Sequence, residues 1–86
     1  MVCREGEVLV FVEVKTRSSN EFGDPAEAVT LDQERRISRG ALAWLRMLDN
    51  PQVIFRFDIV EVLMVEGKLE CNLLRNAFSL SAPYRY

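Results

Sequence analysis

Val, Ile, Leu and Phe crowd residues 8 to 15 and residues 53 to 65. Runs of that composition and length form strands with apolar residues on both faces. Between them the repeat lengthens from two to that of a helix. At about 100° per residue, Ile37, Ala41, Trp44, Leu45 and Leu48 make one apolar stripe, and Arg35, Arg39 and Arg46 fall opposite, toward water. Thr30 and Gln33 have the spacing of a capping box, which predicts a helix starting at Leu31, and Asp49-Asn50-Pro51 ends it. Glu66-Gly67 is a tight turn, and Lys68 to Leu74 alternates with Leu69, Cys71 and Leu73 on one face.

The remaining segments are shorter or less regular. Residues 1 to 3 are apolar and precede a turn at Arg4 to Glu7, so the first strand of a hairpin is reduced to a stub. Thr16 to Asp24 reads as a polar loop and Pro25 to Ala28 as a short helical turn. Asn76 to Tyr86 carries no assignable period. The order is strand stub, strand, helix, strand, strand, and a strand-helix-strand unit normally closes as a right-handed parallel crossover. The expected fold class is therefore α/β: one domain over residues 1–86, a mixed sheet with a helix packed on it.

Composition narrows the chemistry. The 86 residues are 49% hydrophobic and 28% charged, with a net charge of −2, so the chain folds around a core and is not a basic coat for nucleic acid. It contains no histidine, which removes Ser-His-Asp and Cys-His catalysis and any imidazole ligand. Cys3 and Cys71 stand apart, with no metal-binding or redox spacing, and read as small apolar residues in a reduced compartment. No apolar run is long enough to span a membrane and the start has no leader-like segment, so the expected location is the cytoplasm.

Glu13 and Lys15 interrupt the first apolar run. Two residues apart on a strand, they point the same way, and burying them costs free energy unless they pair or hold a ligand. A carboxylate suits a hard cation such as Mg²⁺ or Mn²⁺, and the backbone carbonyl of Val14 could add a second oxygen. An amine beside it could orient an attacking water or stabilise charge developing on phosphorus. On spacing alone a surface salt link is the commoner meaning of such a pair.

The wider pattern sharpens this. Leu9-Val10-Phe11-Val12-Glu13-Val14-Lys15-Thr16-Arg17 is followed by Phe22-Gly23, by Pro25-Ala26-Glu27-Ala28-Val29-Thr30, by Arg56-Phe57-Asp58-Ile59-Val60 and by Asn76-Ala77-Phe78. From end to end this resembles the YraN-like family of predicted bacterial endonucleases, which belongs to the PD-(D/E)-x-K superfamily. The resemblance implies a restriction-endonuclease-like core acting on DNA, including branched or repair intermediates. It implies Glu13 and Lys15 as catalytic residues, and Glu13 with the Val14 carbonyl as ligands of Mg²⁺ or Mn²⁺. It also places the family's metal-binding Asp, in a Gly-Glu-Ile-Asp segment, just upstream of Met1. The chain is thus expected to lack the family's N-terminal helix, most of its first strand and that Asp. Non-catalytic nucleic-acid binding or protein interaction on the same fold is the alternative.

Further residues join the list more loosely. Gln33 leans toward the apolar stripe and could reach nucleic acid, although the capping box explains it equally well. Arg17, beside Ser18 and Ser19, could grip phosphate. Arg56 and Asp58 share a strand face and read as a structural ion pair, and Trp44 as core. An uncovered sheet edge invites pairing with a second copy, a state that sedimentation would read directly.

Overall fold

The computed structural model describes residues 1–18, 30–80 and 86, with backbone alone for Arg17 and Ser18. The expected helical turn at Pro25 to Ala28 and most of the expected loop lie outside these residues. Four strands and one helix follow in order: β1 (Val2–Glu5), β2 (Val8–Ser18), α1 (Leu31–Met47), β3 (Ile54–Val65) and β4 (Lys68–Phe78). The sheet runs β1-β2-β3-β4. β1 pairs antiparallel with β2, β2 parallel with β3, and β3 antiparallel with β4. This is the mixed α/β sheet that the pattern predicted, with the helix linking two parallel neighbours.

α1 begins where the capping box places it. The Thr30 hydroxyl accepts from the Gln33 N–H at 3.2 Å, and the Gln33 side-chain carbonyl accepts from the Thr30 N–H at 3.0 Å. Two of the four N–H groups that open every helix are thereby satisfied. Ala41 and Leu45 are buried against the sheet, where Phe11 of β2 and Phe57 of β3 meet them, and Ile37, Trp44 and Phe55 close the flanks. Trp44 stands edge-on to Phe11 with ring centroids 5.7 Å apart, so it belongs to the core as expected. Leu48, expected in the apolar stripe, is half exposed because it follows the last helical turn. Arg35, Arg39 and Arg46 are exposed.

β2 runs three residues past its expected end. Thr16, Arg17 and Ser18 are polar yet continue the parallel register, opposite Val62, Leu63 and Met64. Arg17 therefore sits on a strand, not in a loop. β4 also runs further, to Phe78, because a bulge hides its continuation. Phe57 pairs with Phe78 and Ile59 with Leu74, so β4 spends Arg75 to Ala77 where β3 spends Asp58. Asn76 takes a left-handed φ of 51° there, which breaks the alternation of side chains.

Asp58 holds that bulge. Its Oδ1 accepts from the Asn76 N–H at 2.8 Å, and both its oxygens accept from Arg56, at 3.0 and 3.3 Å. Arg56 also reaches Glu5 on β1, and Arg75 on β4 meets the same carboxylate at 2.6 Å. Beneath them the rings of Phe57 and Phe78 stack, 4.7 Å apart. The Arg-Phe-Asp and Asn-Ala-Phe stretches are thus two halves of one structural lock, and the Arg56–Asp58 pair is the ion pair expected from sequence.

This network ties stability to acid. Burial pushes the Asp58 carboxyl up, but the hydrogen bonds from Arg56 and Asn76 and the Arg56 charge outweigh it and leave Asp58 below its ordinary value. Glu5 is also lowered, by the hydrogen bond and charge of Arg56 and then by Arg75. A lowered carboxylate stabilises the fold above its unfolded value and loses that contribution as pH falls through the folded one. The urea midpoint should hold steady from about pH 7 to 5 and fall below about pH 4, with a shallower fall in Asp58→Asn.

On the sheet face away from α1, Val14, Met64, Leu69 and Leu73 are about half or more exposed. Cys3 and Cys71 open to the same side and are free and exposed. Among the described residues no helix covers this face, and water reaches these side chains, although Val10 on the same face is buried. None of the described helices is long and apolar enough to cross a membrane.

Candidate functional site

Glu13 and Lys15 lie in the second half of β2, on the face that carries Phe11 and looks toward α1. Alternation along the strand sets their Cα atoms about 7 Å apart on that face. Glu13 is partly buried and Lys15 half-buried. Across the parallel register Lys15 stands opposite Glu61, which is fully buried. The apolar part of the face thus ends in charge: Phe57 and Ile59 precede Glu61 on β3, as Phe11 precedes Glu13 on β2.

The backbone adds an oxygen. The Val12 N–H donates to the Met1 carbonyl at 2.8 Å, and the Met1 ammonium donates to the Val12 carbonyl at 3.1 Å. The polar groups of alternate residues point to the same edge, so the Val14 carbonyl turns the same way as that of Val12. Val14 is itself half exposed. A carboxylate and a backbone carbonyl one residue apart is hard-oxygen chemistry, the kind that Mg²⁺ or Mn²⁺ takes. The set fits such an ion in kind and falls short of it in number. Among the described residues no three His, Cys, Asp or Glu side chains are grouped to hold a metal.

What holds Glu13 is a cation of another sort. Arg36, in the second turn of α1, places Nη2 3.2 Å from Glu13 Oε1, with both side chains reached by water. The two border a groove of about 250 Å³ that continues past Ile37 and Gly40 to Trp44, with Phe11 among its walls. Gln33 lies one turn before Arg36, half-buried, its carbonyl oxygen committed to the helix cap and its amide nitrogen no part of that cap. The Arg17 side chain is outside the described residues.

Arg36 and Glu61 are the polar residues at this site that sequence reasoning passed over. Glu61 had a signal, since it is the one acid within Ile59-Val60-Glu61-Val62-Leu63. Arg36 had none, because its partner is 23 positions away and no helical projection reveals a strand carboxylate.

Known proteins are similar to this chain. A UPF0102 protein of Symbiobacterium thermophilum is 46% identical over 79 residues, covering 91% of this chain and 67% of its own length. One from Caldicellulosiruptor saccharolyticus is 42% identical over 80 residues, with 91% and 68% covered. A third, from Nocardia farcinica, is 49% identical over 67 residues, with 78% and 53% covered. The chain thus spans between half and about two thirds of these relatives. The family described as "Uncharacterised protein family UPF0102" matches residues 1–62, from β1 through the Glu13-Lys15 strand and α1 into β3, and the chain belongs to that family.

Proposed function

We propose that this chain is the core of a metal-dependent endonuclease acting on DNA, including branched or repair intermediates. The observation that carries the reading is the succession of Glu13, Val14 and Lys15 late in β2, with the carboxylate and the amine on one face of the strand. The resemblance to PD-(D/E)-x-K nucleases supports it. Glu13 and Val14 would hold Mg²⁺ or Mn²⁺, which when bound neutralises phosphate charge and acidifies water. Lys15 would orient the attacking water and stabilise charge on the phosphoryl oxygens. Glu61, opposite Lys15, helps to set where that amine rests. A residue continuing β1 upstream in the register of the Met1–Val12 pair would stand opposite Glu13, and the resemblance expects an Asp on that strand.

The test extends the chain upstream through a Gly-Glu-Ile-Asp segment and offers it branched, flapped and single-stranded DNA with Mg²⁺ or Mn²⁺. Cleavage is expected, with a loss of about 100-fold or more in Glu13→Gln and in Lys15→Ala. A folded, extended protein that cuts none of these substrates sinks the proposal.

The Arg36–Glu13 ion pair favours a second reading, a non-catalytic nucleic-acid-binding domain. Binding that weakens with salt yet ignores divalent metal and Glu13→Ala marks that case.

A further inference from the structure

Two arginine–carboxylate pairs in this molecule differ in kind. Arg56 grips Asp58 through two bonds with little exposure on either side, 18% and 5%. Arg36 touches Glu13 through one bond, and its own side chain is 58% exposed. The first pair is locked by geometry and burial. The second is a single-point contact in water, of the sort that exchanges readily.

The surroundings of Arg36 give it somewhere to go. Gly40 lies one helical turn further on, and a Cβ built there would meet nothing within 4 Å. The groove that Arg36 and Glu13 border runs along that open stretch of helix. A guanidinium offers five donors in a planar fork matched to phosphate oxygens, and this contact engages Nη2. Lys15, on the sheet face toward the helix, adds a second positive charge to the same side.

We propose that Arg36 exchanges partners. It holds Glu13 while no divalent cation is bound, and once a cation takes that carboxylate it turns its guanidinium to a backbone phosphate of the DNA. Two cations compete for one carboxylate, so the salt link weakens metal binding until nucleic acid draws the arginine away. Metal and DNA then bind with positive coupling, because each removes a partner that the other must displace. Arg36 is in this account a phosphate-binding residue that also guards the metal ligand. The inference rests on the cation site proposed above.

Mn²⁺ titration followed by electron paramagnetic resonance tests it on the chain extended upstream through a Gly-Glu-Ile-Asp segment, as in the cleavage test above. Arg36→Ala should bind Mn²⁺ roughly 3- to 10-fold more tightly than the wild type, since it removes a neighbouring positive charge, and Arg36→Lys should lie between them. Glu13→Gln should abolish binding and, combined with Arg36→Ala, erase the gain. In a second arm, DNA affinity in Ca²⁺ should drop roughly 5-fold in Arg36→Ala, and in EDTA stay unchanged. Equal Mn²⁺ affinity in wild type and Arg36→Ala, with Glu13→Gln still weakening it, overturns the exchange and leaves the metal site standing. An equal loss of DNA affinity with and without cation also overturns it, since Arg36 is then a fixed phosphate contact. Mn²⁺ binding that ignores Glu13 in every variant removes both the exchange and the cation site.

Discussion

Phe57→Ala should all but unfold this protein. Phe57 is 2% exposed and lies at the centre of the aromatic cluster, stacked on Phe78 and within 6 Å of the Phe11 and Phe55 ring centroids. Truncating a buried phenylalanine removes its transfer free energy and leaves a cavity, about 3 to 5 kcal/mol together. A domain of this length has only about 5 to 10 kcal/mol in all. Urea denaturation followed by circular dichroism should show a midpoint near zero denaturant and a lost pre-transition baseline. Phe57→Leu keeps most of the volume and should retain a clear transition. Phe55→Ala, at a half-buried ring, should cost visibly less, and if the two alanine variants cost the same, Phe57 is not at the centre.

Asp58→Ala is expected to be the next most damaging change, for an electrostatic reason. The carboxylate is 5% exposed and takes three hydrogen bonds, two from Arg56 and one from the Asn76 backbone. Removing it leaves a partly buried guanidinium short of a partner and frees the bulge that brings Phe78 over Phe57. A loss of about 3 kcal/mol at pH 7 follows, in the range for one partner of a buried pair. Asp58→Asn keeps an acceptor for Asn76 and should recover part of it. At pH 3 the gap between wild type and Asp58→Ala should narrow, because Asp58 is then largely protonated in the unfolded chain and the advantage of its lowered native carboxyl shrinks. A cost that is the same at both pH values would show that packing, not charge, is what Asp58 contributes.

How much of this was legible beforehand depends on how local the cause is. The start of α1 was readable to the residue, because Thr30 and Gln33 satisfy each other within one turn. The parallel pairing of β2 with β3 followed from handedness and from the apolar runs on either side of the helix. The last residues of β2 were not readable, since backbone pairing with β3 carries Thr16 to Ser18, and the polar run they open looks like a loop despite the β-branched Thr16. β4 was cut short because Asn76 interrupts the alternation, and nothing nearby announces that Asp58 supports the kink. The exposure of Cys3 and Cys71 was not readable for a related reason: an apolar strand face is visible in sequence, but whether another element covers it is not. At the candidate site, the Glu13-Lys15 geometry follows from strand alternation, while Arg36 required the helix to be laid on the sheet.

The open side of the sheet has a practical consequence. Among the described residues Val14, Met64, Leu69 and Leu73 are reached by water, so one face of the sheet holds the core and part of the other is apolar and exposed. Environment-sensitive dyes should light up on the folded protein, so their fluorescence would start high and rise little on heating. A dye-based melting curve would then report the open face instead of the loss of structure, and unfolding is better followed by the near-ultraviolet signal of Trp44 packed against Phe11.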